Sequence, residues 1–124
     1  MSNCSCSCGA APKFVFSCSG AADVGEVADQ AARELSRQGK VKMFCLAGIG
    51  GRVSGIVKST EAADQIVVID GCPLNCASKT LEEAGLSEFE HVELQAMGLK
   101  KGESPVSPEL INAVVAEATK RIKG

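Results

Sequence analysis

Gln65-Ile-Val-Val-Ile-Asp-Gly-Cys-Pro-Leu-Asn-Cys76 is the stretch whose reading decides the fold. Ile66-Val-Val-Ile69 is an unbroken run of β-branched residues, which predicts a central strand covered on both faces. Gly71 breaks the run. Pro73 then suits a first helical position, and Leu74, Ala77, Leu81 and Ala84 recur at helical spacing until Gly85, which predicts a helix with Cys72 at its entrance.

The same alternation extends in both directions. Upstream, Phe14-Val-Phe16 predicts a buried first strand that ends at Cys18-Ser-Gly20. Val24, Val27, Ala28, Ala31, Ala32 and Leu35 then fall on one helical face, with Asp29 and Arg33 on the other, Asp23 placed to cap and Gly39 to close. Val41 to Leu46 predicts a second strand running into a Gly-rich turn over Ala47 to Gly51, and a shorter helix is expected over Val53 to Glu61. Downstream, His91 to Gln95 predicts a fourth strand and Met97 to Glu103 a loop, and Ser107-Pro108 opens a last helix with its apolar stripe from Leu110 to Ile122. The expectation is an α/β fold: a small, doubly wound (Rossmann-like), mostly parallel four-stranded sheet with helices on both faces. Residues 1–12 read as a flexible tail holding Cys4, Cys6 and Cys8, and residues 13–124 as a single α/β metal-binding domain.

Composition narrows the function. A chain of 124 residues with 45% hydrophobic content buries one core. The 13 basic and 15 acidic residues are interspersed, so neither nucleic acid nor an anionic membrane is an expected partner. With no apolar run near the roughly 20 residues of a membrane span, and a start that is neither basic nor apolar, the expected location is cytoplasmic. Seven cysteines, an odd number without a secretion signal, point to metal or thiol chemistry before disulfides. Trp and Tyr are absent, so the chemistry rests on sulfur and backbone.

In open α/β sheets functional groups collect beyond the carboxyl ends of the strands. Cys18, Cys45 and Cys72 each fall at the end of a different expected strand, and a four-residue step places Cys76 on the same helical face as Cys72. Four thiolates around a divalent ion leave about two negative charges to be offset; the amides of Gly48, Gly50 and Gly51 and the cation of Lys79 are candidates. Asp70 reads equally as an orienting carboxylate and as ordinary turn chemistry, and His91, distant in sequence from every cysteine, reads as a surface residue. The expected cofactor is Zn2+ on Cys18, Cys45, Cys72 and Cys76, with an iron–sulfur cluster as the alternative. A carrier or sensor of the metal ion is the first functional reading. A thiol redox or sulfur-transfer enzyme using Cys72 and Cys76 is the second, so enzymatic activity stays open, and no protein partner is indicated.

The stretches Phe16-Ser-Cys-Ser-Gly-Ala-Ala-Asp-Val-Gly25, Cys45-Leu-Ala-Gly-Ile-Gly-Gly51 and Ile69-Asp-Gly-Cys-Pro-Leu-Asn-Cys-Ala-Ser-Lys79 resemble the DGC-domain family, described as zinc-binding and named for the tripeptide found here as Asp70-Gly71-Cys72. The resemblance spans Phe14 to about Lys101. It implies metal binding through Cys18, Cys45, Cys72 and Cys76 and no established reaction. Because β-strands lie about 4.8 Å apart, a first strand set between the second and third would start Cys45 and Cys72 roughly 10 Å apart. The chain at Cys45 is therefore expected to leave the sheet.

Overall fold

The structure, a computed structural model, describes residues 11–123; the tail cysteines Cys4, Cys6 and Cys8 lie outside them. Strands β1 (Lys13–Ser17), β2 (Lys42–Met43), β3 (Gln65–Asp70) and β4 (Glu90–Glu93) form one sheet in the order β2-β1-β3-β4, and every pairing is parallel. The order reverses between β1 and β3, so the crevice beyond their carboxyl ends is the topological switch point.

All six residues of β3 are buried, which is why its sequence lacks alternation. On one face Val15, Val67 and Ile69 pack beneath helices α1 (Asp23–Arg37) and α5 (Pro108–Arg121). On the other, Phe14, Phe16, Ile66 and Val68 meet residues of α2 (Leu46–Gly50), α3 (Ser54–Glu61) and α4 (Cys76–Glu83). The α/β expectation, with helices on both faces, is what the molecule has. No described helix is long and apolar enough to cross a membrane.

Several local expectations change. The second strand shrinks to Lys42–Met43: after Phe44 donates its N–H to Val15 O at 3.0 Å the chain turns away. The expected Gly-rich turn is instead the five-residue helix α2, with Cys45 at its N-cap. Helix α4 starts at Cys76, because Asn75 adopts a left-handed conformation (φ 53°) that helix geometry excludes. The fourth strand begins one residue early, at Glu90, and stops at Glu93, and a short 3-10 turn follows at Gln95–Met97.

Two backbone approaches hold the loops at the switch point together. A Cβ on Gly25 would sit 2.5 Å from Gly20 O, and one on Gly71 would sit 2.7 Å from both Val24 C and O. Asp23 does not cap α1, whose N-cap is Ala22; its carboxylate accepts the N–H groups of Gly102 (2.9 Å) and Ser104 (3.0 Å) and fastens their loop to the helix.

Gly25→Ala and Gly71→Ala should each lose about 1–3 kcal/mol in a urea titration, since the opposing atoms are backbone and cannot move aside cheaply. Gly55→Ala in α3, where an added Cβ meets nothing within 4 Å, should gain about 0.5–1 kcal/mol. The amides of Gly102 and Ser104 hold the Asp23 carboxyl below its ordinary 3.8. That tie is complete above pH 3.8 and is released as acid carries the pH through the lower folded value, so the protection of the Gly102 and Ser104 amides, taken relative to their intrinsic exchange rates, should fall only below 3.8.

Candidate metal site

Four thiols gather along the carboxyl edge of the sheet. Cys18 directly follows β1; its N–H donates to Ile69 O at 3.1 Å, and its sulfur accepts the Gly71 N–H at 3.3 Å. It is half-buried and borders both apolar clusters. Cys45 is exposed, and its sulfur accepts the Gly48 N–H at 3.4 Å, closing the first turn of α2. Cys72 is half-buried against the α1–α5 cluster, Cys76 is exposed at the start of α4, and all four are free thiols. Backbone donors on two of the sulfurs are the kind of outer contact that metal-bound thiolates keep.

Cys18 lines two depressions. One, of about 410 Å³, also receives Cys72 and Cys76; the other, of about 570 Å³, receives Cys45. Among the described residues, no three Cys, His, Asp or Glu side chains stand close enough to hold one metal ion. The four expected ligands thus share one edge, but in this arrangement Cys45 opens to one side of Cys18 and the Cys72–Cys76 pair to the other. The chain leaves the sheet before Cys45, as strand spacing requires, yet α2 carries that residue into its own depression.

Cys72 and Cys76 do not share a helical face, because the helix begins only at Cys76. Asp70 controls this turn. Its carboxylate, 1% exposed, accepts the N–H groups of Ala77 (2.8 Å) and Ser78 (3.2 Å), the unpaired donors at the start of α4. Its Oδ2 also lies 2.7 Å from His91 Nε2. His91 is therefore half-buried and bonded rather than a surface residue. The sheet register explains why spacing missed it: Val68 pairs with His91 across β3 and β4, so His91 is far from Asp70 in sequence and beside it in space. The turn also holds Asn75, whose Nδ2 donates to Glu93 Oε2 at 3.4 Å. Lys79, the expected offsetting cation, is exposed on α4.

A second polar group was not legible at all. Ser19, at φ 50°, donates from its hydroxyl to Asp29 Oδ1 at 2.7 Å, and Arg33 Nε donates to Asp29 Oδ2 at 2.7 Å. Burial works to raise the Asp29 carboxyl, but the bonds from Arg33 and Ser19 outweigh it and hold the group below its ordinary range. These three residues line the Cys45 depression.

Asp70→Ala strips acceptors from three donors at once and should cost about 3–5 kcal/mol of unfolding free energy. Amide protection at Ala77 and Ser78 should fall with it in hydrogen exchange. A loss under about 0.5 kcal/mol, the scale of an ordinary surface change, would remove Asp70 as organiser of the turn.

The profile of the DGC domain matches residues 14–118. A curated relative, "Anaerobic and virulence modulator AnvM" of Pseudomonas aeruginosa, is 36% identical over 88 residues, which cover 71% of this chain and 67% of the relative. No solved structure matches the chain. On the span of the matched domain, reinforced by that relative, this chain belongs to the DGC domain family.

Proposed function

We propose that the protein binds one zinc ion through Cys18, Cys45, Cys72 and Cys76 and acts as a metal sensor or carrier in the cytoplasm. The observation that carries the reading is the placement of four free thiols beyond three neighbouring parallel strands, with Cys18 common to both depressions. The donor set fits a soft divalent metal, and zinc takes four thiolates readily. The spacing does not yet fit, so uptake must draw Cys45 and the Cys72–Cys76 turn together over Cys18. Such closure couples occupancy to shape, which suits a sensor, and the relative's description as a modulator points the same way.

The redox or sulfur-transfer reading of Cys72 and Cys76 has less support. It relies on a helix N-terminus that stabilises a thiolate. Here the Ala77 and Ser78 N–H groups are taken by the Asp70 carboxylate, which brings negative charge to the same place.

Metal analysis and X-ray absorption on anaerobically purified protein should find about one zinc per chain with sulfur neighbours at about 2.3 Å. Iron with visible absorption would replace zinc by a cluster, and mainly nitrogen or oxygen neighbours would end the reading. Cys→Ser at positions 18, 45, 72 or 76 should weaken binding far more than at 4, 6 or 8. Because both apolar clusters close without the site, a chelator should leave the far-ultraviolet helix signal largely intact.

A further inference from the structure

The depression that receives Cys18, Cys72 and Cys76 is lined by more than thiols. Its walls include Ala21, Ala22 and Val24 at the entry of α1 and Leu74 on the 72–76 turn, and no aromatic ring. Leu74 is 58% exposed, more than any other large apolar side chain among the described residues, so an apolar surface stands open to water there. Apart from the thiols, only two of the lining side chains are polar, Asp70 and Lys101. Both oxygens of Asp70 already accept bonds, from Ala77, Ser78 and His91. Lys101 therefore brings the one uncommitted charge, and its ammonium enters no ion pair among the described residues.

The loop that carries Lys101 is fastened on both sides of it. The hydroxyl of buried Ser104 donates to Lys100 O at 2.8 Å and accepts the Lys100 N–H at 2.9 Å, and the Glu103 N–H donates to Lys100 O at 3.0 Å. Gly102 reverses the chain at φ 84°. Asp23 spends its charge on the amides of Val24, Gly102 and Ser104. None of these bonds uses the Lys101 side chain, so the loop sets its position and leaves its ammonium free for a ligand. The depression measures about 410 Å³, within the range of small-molecule sites, and it lies beyond the carboxyl ends of β1 and β3, where open α/β sheets take small ligands.

We propose that this depression binds a small amphiphilic carboxylate, its alkyl chain against Leu74, Ala21, Ala22 and Val24 and its carboxylate on the Lys101 ammonium. Aliphatic walls without a ring to stack on favour an alkyl over an aryl body, and the single free cation sets the sign of the polar end. The site uses neither a metal nor a thiol as ligand, so it stands separately from the metal-binding reading.

The test is a titration of the full isotope-labelled chain, metal-free under a non-thiol reductant, with octanoate. Amide signals of Gly20, Cys72 and Gly102 should shift and saturate, and octanoate should bind about tenfold more tightly than hexanoate. Lys101→Gln, at an exposed position, should weaken octanoate about fivefold and leave the neutral 1-hexanol at its wild-type affinity, whereas Leu74→Ser should weaken both about fivefold. Shifts that do not saturate, equal affinity for hexanoate and octanoate, or a Lys101→Gln chain that loses nothing or loses both ligands alike would overturn the site. So would two results for ligand-free Leu74→Ser: a changed sedimentation coefficient, which gives the surface to a second copy, or shifted signals in residues 1–10, which give it to the start of the chain. Zinc binding, measured on separate samples of the same proteins, reports on the metal reading whichever way the octanoate titration falls.

Discussion

The carboxyl edge of the sheet depends on how closely backbones approach one another there. Gly71, directly after β3, lies against the peptide of Val24 in the first turn of α1, and Gly25 lies against Gly20 in the loop that enters the same helix. No side chain separates these segments. Because they touch, Gly71 can point its N–H at the Cys18 sulfur, and Cys72 is placed on the same depression as Cys18. A larger residue at either glycine would force the loops apart and separate the thiols they carry. Both glycines thus belong to the site although neither has a side chain.

Asp70 sets the charge of that edge. Its carboxylate is buried and accepts from two α4 amides and from His91, so its negative charge is balanced locally. The α4 terminus therefore has little positive character left for a neighbouring sulfur. A thiolate held along this edge would need its counter-charge from elsewhere, and that is the need the proposed divalent cation would meet. The carboxylate that works against a lone nucleophilic thiolate is compatible with a thiolate cluster that shares a metal.

Much of the fold could be read from residue order. The β-branched run at Ile66–Ile69 marked the covered central strand, and the apolar stripes of α1 and α5 marked the helices that cover one of its faces. Those patterns arise from burial, which repeats along an element. What could not be read depends on single contacts between distant residues. Helix α4 starts late because Asn75 turns left-handed while Asp70 reaches its amides, and neither event has a period. The glycines at Gly48 and Gly50 looked like a turn, yet Gly48 sits inside a short helix, and it lacks a side chain there because Ile56 fills the space a Cβ would take. For the site, order along the chain was enough to collect four cysteines on one edge. It could not reveal on which side of Cys18 each would open, because that depends on how α2 and the 72–76 turn pack.

The two outer strands have a consequence for self-association. The most amyloid-like segment of the chain, Ile66–Ile69, lies in a strand paired on both sides and covered on both faces. At one margin β2 offers only Lys42 and Met43; at the other β4 is four residues long and exposes Glu90 and Glu93. A neighbouring copy that approaches either margin finds few unpaired backbone groups and a charged side chain at each. The sheet is therefore protected against growth by strand addition from one molecule to the next, and loss of the short β4 is the smallest opening that would bare an edge of β3.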